Sequence, residues 1–170
     1  MGASARMQGN PVPLADGGAE RYRHLARQLP ALLGALRHAP EVRSRSASQI
    51  PEEPGVYLLV EEGVPVYVGQ TQNLRRRLSQ HGASWGRHNQ ATFAFARARE
   101  EARADPEIEV ARSREELESD PRFAAIFRRH RDRVAAMPAR IVEVDDPELR
   151  TVFEVYATIM LGTENTFETH

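Results

Sequence analysis

Tyr57 and Tyr67 stand ten residues apart, and Arg77 follows the second by ten more, with His81 one helical turn beyond it. A phenol can order or relay a proton, and a guanidinium fork fits two oxygens of one phosphate. An imidazole can take a proton transiently near neutral pH. Together these groups suit the handling of a phosphodiester, provided the chain folds them onto one surface.

The flanking residues say how. Val56, Leu58 and Val60 alternate with Tyr57, Leu59 and Glu61, the period of a strand. Glu61-Glu62-Gly63 reads as a three-residue hairpin loop closed by a bulge. Pairing Val60 with Val64 then sets Tyr57 opposite Tyr67, with both rings on one face. Gly69 leaves bare backbone where the second strand is expected to end, so that a ligand can approach. A helix follows, opened by Thr71 or Asn73 and stopped at Gly82. Leu74 and Leu78 form its buried edge, while Arg77 and His81 share a neighbouring face that can point back at the sheet.

From Gly63 to Arg99 there is no acidic residue, yet Arg75, Arg76, Arg77, Arg87, Arg97 and Arg99 all fall inside. That local positive field points to a polyanion, although the whole chain carries a net charge of only −1. Near-neutral charge argues for weak or assisted affinity rather than tight indiscriminate binding. All 23 basic residues are arginine. A chain of 170 residues with 41% hydrophobic and 28% charged content is expected to form one globular domain. The absence of cysteine excludes disulfides, thiolate catalysis and cysteine-ligated zinc. No apolar run approaches a membrane span and no signal peptide is visible, so a cytoplasmic, nucleoid-associated protein of bacterial type is expected.

Along the chain, residues 1–18 read as a disordered tail and 19–50 as a helical arm and linker. Residues 51–170 read as the main domain, with a helical insertion around 83–137. Glu20 to Leu36 carries Leu25, Leu29, Leu32, Leu33 and Leu36 at helical spacing, and Pro30 either kinks that helix or starts a second one. Asn89 or Gln90 opens an alanine-rich helix ending near Asp105-Pro106, and Glu107 to Val110 is a short strand or a loop. Ser113 to Glu116 has capping-box spacing. Asp120-Pro121 and Asp146-Pro147 are two strong helix starts on either side of a third strand, Ala139 to Val144. The last helix has Leu149, Val152, Phe153, Tyr156 and Met160 as its apolar stripe and ends at Gly162. The fold class expected is α+β, a three-stranded mixed or antiparallel sheet flanked by helices, with an N-terminal helical extension.

Gly55-Val56-Tyr57, Tyr67-Val68-Gly69, Arg77, His81, Glu154 and Asn165, in that order, resemble the GIY-YIG nuclease superfamily over roughly Pro54 to His170. Valine replaces isoleucine in both tripeptides, and Gln70 stands where some relatives carry lysine. The resemblance implies a divalent-metal-dependent endonuclease acting on DNA, duplex or single-stranded, or on RNA. Within it, Glu154 is the ligand of a single Mg2+ or Mn2+ ion, Arg77 holds the scissile phosphate, and Asn165 orients a phosphate oxygen or a water. Tyr57 is implied as the base, Tyr67 ordering the water network or leaving group, though the two roles could be exchanged. Gly69, Gln70, Arg75, Arg76, Arg87 and His88 are candidate nucleic-acid contacts. A binding module that keeps the fold without turnover is the alternative. Targeting would come from the 83–137 insertion, the N-terminal arm, a partner protein or a second copy in a homodimer.

Overall fold

The computed structural model describes residues 12–43, 48–82 and 92–163, with only the backbone at 81 and 82. A three-stranded antiparallel sheet is built from β1 (Gly55–Glu61), β2 (Val64–Thr71) and β3 (Ala139–Glu143), in the order β2-β1-β3. The α+β expectation holds, with every pairing antiparallel.

The hairpin differs from expectation in detail. Glu62 at φ 51° and Gly63 at φ 81° both take the left-handed conformation, the signature of a two-residue type I′ turn rather than a three-residue loop. Glu61 pairs with Val64 and Val60 with Pro65, but Leu59 pairs with Tyr67, so Val66 is extruded as a bulge. The tighter turn and the bulge together move the register by two residues. Tyr57 therefore faces Gly69, not Tyr67. A shift of two preserves the face on which side chains lie, and both rings remain on the same side of the sheet.

Helices cover both faces. On one side, Tyr57, Leu59 and Tyr67 pack with α3 (Leu74–Gly82), α4 (Thr92–Ala102), α5 (Arg114–Ser119) and α6 (Pro121–Ala136) through Leu74, Leu78, Phe93, Leu117 and Phe123. On the other, Val56, Leu58 and Val68 pack with α1 (Gly18–Ala26), α2 (Leu29–His38) and α7 (Pro147–Leu161) through Leu25, Leu33, Leu36 and Phe153. The central strand is buried on both sides, which is why its core residues are apolar without interruption. Gly55 is required there: a Cβ would lie 2.4 Å from the Val142 carbonyl oxygen and 2.7 Å from Leu74.

Local signals set the helix starts. Asp120 accepts from the N–H groups of Arg122 and Phe123, Asp146 does the same for Glu148 and Leu149, and Ser113 with Glu116 forms a complete capping box. Pro30 lies in the first turn of a separate helix, α2, and so starts it rather than kinking a longer one. Glu107 to Val110 is a loop. The apolar stripe of α7 is rotated from expectation: Met160 is 56% exposed, whereas Arg150 and Thr158 are buried. Arg150 is drawn inward because its guanidinium donates to the carbonyls of Val144 and Asp145. Among the described residues, no helix is long and apolar enough to cross a membrane.

Candidate active site

The end of the hairpin away from its turn leads into α3. Asn73 caps that helix, its Oδ1 accepting from Arg76 N–H at 2.7 Å, so the first turn carries Arg75, Arg76 and Arg77 at fixed angles. Leu74 and Leu78 bury one side against the sheet, which turns Arg77 toward the tyrosines.

Arg77 Nε donates to the Tyr57 hydroxyl at 3.2 Å, and its guanidinium also interacts with Tyr67. The two phenol rings lie 6.1 Å apart at 44°. Burial works against the charge on Arg77, but the two phenols outweigh it and hold its pKa above the ordinary value. The guanidinium is a permanent cation at the heart of the cluster.

Gly69 has a different purpose from the one expected. A Cβ there would fall 2.5 Å from the Tyr57 hydroxyl and 2.9 Å from Cε1 of Tyr67. The bare backbone makes room for the phenols, not for a ligand, and β2 runs on to Thr71.

Glu154 reaches the same place from α7. Its Oε1 accepts the backbone N–H of Gln70 at 3.1 Å, and its charge acts on the Tyr57 phenol. Burial pushes Tyr57 well above the ordinary phenol range; Tyr67 and Glu154 push the same way, and Arg77 only partly opposes them. That direction is opposite to what a base working near neutrality needs. It has a measurable consequence for stability. The unfolded phenol titrates at about 10. Tyr57 therefore contributes its full stabilisation below that pH and loses it as the pH rises through the higher folded value. The urea midpoint is expected to fall more steeply above pH 10 in the native protein than in Tyr57→Phe; parallel curves would contradict the assignment.

The acid-free stretch does not remain a free positive field in three dimensions. Arg75 is committed to the Ile50 carbonyl at 2.7 Å and to Glu52, and so braces the segment before β1. Arg97 pairs with Glu61 at 2.9 Å, and Arg99 donates to the Val110 carbonyl. Arg76 lies on the exposed side of α3. His81 falls in the last turn of α3, where only backbone is described. Arg87, His88, Asn89, Asn165 and Phe167 lie outside the described residues.

Three supporting contacts were not anticipated. Phe93 of α4 stacks on Tyr67 at 4.7 Å and 29°, with Arg97 above it. Glu61 ties the hairpin to both α4 and α6 through Arg97 and Arg133. Strand parity could have revealed this pairing, since Tyr57, Leu59 and Glu61 share one face. The side chain of Gln70 donates to Thr151 of α7 at 3.3 Å, for which the sequence holds no local signal.

Among the described residues no three His, Cys, Asp or Glu side chains gather as a metal cage. The donor set that does converge is the half-buried Glu154 carboxylate with the Tyr57 phenol within electrostatic reach. Hard oxygen donors of this kind suit magnesium or manganese.

Residues 53–119 match the GIY-YIG catalytic domain. That stretch contains Tyr57, Tyr67, Arg77 and His81, and stops before Glu154 and Asn165. The UvrABC system protein C of Deinococcus radiodurans is 40% identical over 60 residues, 35% of this chain and 10% of that protein. Its counterpart from Acidothermus cellulolyticus is 45% identical over 47 residues, 27% of this chain and 7% of that protein. The aligned stretch thus spans a tenth or less of these relatives. The magnesium-bound GIY-YIG N-terminal endonuclease domain of UvrC from Thermotoga maritima aligns over 70% of this chain and 89% of that domain, at 18% identity and a TM-score of 0.35.

Proposed function

We propose, from the match of residues 53–119 to the GIY-YIG catalytic domain, that the protein is a divalent-metal-dependent endonuclease that hydrolyses DNA phosphodiester bonds. The observation that carries this reading is the convergence of the Arg77 guanidinium, the phenols of Tyr57 and Tyr67, and the Glu154 carboxylate, drawn from three separate parts of the chain.

Each group has a task in that reaction. Arg77 grips the scissile phosphate and stabilises the charge that grows on it, an effect strongest in a site already shielded from water. Glu154 would hold the Mg2+ or Mn2+ ion, which when bound neutralises phosphate charge and lowers the pKa of a water. Tyr57, kept protonated by burial, accepts from Arg77 and holds the guanidinium toward the phosphate. Tyr67 keeps 9% of its surface exposed where Tyr57 keeps none, which favours the exchanged roles, with Tyr67 nearer the proton being removed. His81 relays that proton, and Asn165 orients an oxygen from the polar C-terminal segment. Arg76, Arg87 and His88 are assigned contacts to the nucleic-acid backbone, while Gly69, Gln70 and Arg75 drop out because their space, side-chain amide and charge are already used. One such site cuts one strand at a time, so double-strand cleavage would draw on a second copy or on rebinding.

The test is nicking of supercoiled plasmid by the purified protein in Mg2+ and in EDTA, alongside duplex, single-stranded and RNA oligonucleotides. Open circles in Mg2+ and none in EDTA are expected. Equal activity in EDTA would remove the metal from the mechanism, and binding without nicking would select a non-catalytic module. The oligonucleotide panel assigns the strand and sugar preference.

A further inference from the structure

The Glu154 carboxylate meets the edge strand β2 where its Oε1 accepts from Gln70 N–H at 3.1 Å. Leu149, Phe153 and Ala157 pack α7 against the sheet, and polar ties at its edge then set where the carboxylate stands. A second tie exists three residues earlier on α7. Gln70 Nε2 donates to Thr151 Oγ1 at 3.3 Å, so one residue of β2 holds α7 at two points. Three residues along a helix are about 4.5 Å of rise and most of a turn, which places both anchors on the same face.

The acceptor is prepared for this role. The Thr151 hydroxyl gives its own proton to the Pro147 carbonyl at 2.9 Å, within the first turn of α7. With the proton committed there, the lone pairs are left to face Gln70. Strand parity puts the Gln70 side chain on the same face as Val68, which packs in the cluster containing α7. The amide thus reaches across without leaving its strand.

We propose that Gln70 and Thr151 form a clasp that fixes the height and rotation of α7 against β2, and thereby sets where the Glu154 carboxylate stands relative to the Tyr57 and Arg77 pair. Both are positioning residues, and the assignment rests on the endonuclease reading in which Glu154 holds the metal. Thr151→Val keeps the shape of the side chain and removes the acceptor. Thr151→Ser keeps the hydroxyl and its bond to Pro147.

The full chain is compared as native protein, Thr151→Val, Thr151→Ser, Gln70→Ala, the Gln70→Ala/Thr151→Val double variant and Glu154→Ala. Mg2+ binding is read by titration calorimetry and plasmid nicking by kcat and KM. Thr151→Val is expected to weaken Mg2+ binding by about 3–10-fold and lower kcat by a similar factor, with KM for DNA unchanged. Thr151→Ser should restore both, Gln70→Ala should match Thr151→Val, and the double variant should be no worse than either single one. Native values for Mg2+ binding and kcat in Thr151→Val would overturn the clasp, as would a Thr151→Ser variant equally impaired. Undiminished Mg2+ binding by Glu154→Ala would instead overturn the metal assignment beneath it, and the clasp with it.

Discussion

Arg77→Ala is expected to lower the plasmid-nicking rate by about 10²–10³-fold, the magnitude found when one preorganised donor to a developing oxyanion is removed. The guanidinium is fixed before substrate arrives. Its Nε is engaged by Tyr57, Leu74 and Leu78 anchor the helix that carries it, and Asn73 caps that helix. No reorganisation is then needed during reaction, which is the source of the large factor. Losing its contacts to the buried Tyr57 and Tyr67 phenols should cost about 1–3 kcal/mol of stability, so the variant should remain folded by circular dichroism. Arg77→Lys keeps the charge but not the two-pronged geometry, and an intermediate rate is expected. Nicking by folded Arg77→Ala within tenfold of the native rate would remove Arg77 from the phosphate.

Gly69→Ala should be damaging in a different way. The added methyl would sit 2.5 Å from the Tyr57 hydroxyl and 2.6 Å from Cζ, closer than any real contact. Tyr57 cannot retreat, because its side chain is fully buried and packed against Tyr67 and the core beyond. Overpacking of this kind costs about 1–3 kcal/mol, or roughly 2–12 °C in melting temperature for a chain of this size. The larger effect should be on activity, since the ring can relieve the clash only by leaving Arg77. A loss of at least about 100-fold is expected, in line with the cost of an ångström-scale misplacement in a site. A double-variant cycle locates the cause: Tyr57→Leu should cost less stability in the Gly69→Ala background than alone. Strict additivity would show that the two residues do not share the space.

Much of this arrangement was legible from residue types and spacing. The alternation through Tyr57, a tight turn at Gly63, the Asp-Pro helix starts at 120 and 146, and the Gly162 stop are local signals, and local physics reads them. The hairpin register was not. Turn length and the bulge at Val66 differ by small energies, and they were settled by Gly69 having to lie under the Tyr57 ring. The apolar stripe of α7 was read too simply. Arg150 carries a charge that hydropathy places outside, yet two backbone carbonyls at the end of β3 make burial favourable.

The positive field was the plainest case of sequence distance misleading. A run without acidic residues looks uncompensated only along the chain. Glu52 and Glu61 precede it in sequence and close on Arg75 and Arg97 in space. Among the described cations of that stretch, Arg77 is the one that bonds the Tyr57 phenol.

The sequence by itself determined which groups were available and on which element each would ride, because strand parity and helix spacing are properties of neighbouring residues. Only the tertiary structure decided that Glu154, some eighty residues past Gln70, closes on its backbone N–H, that Phe93 packs on Tyr67, and that Tyr57 is sealed from water. Those outcomes depend on how helices pack across a sheet. The energy of such contacts belongs to pairs of surfaces rather than to any stretch of chain.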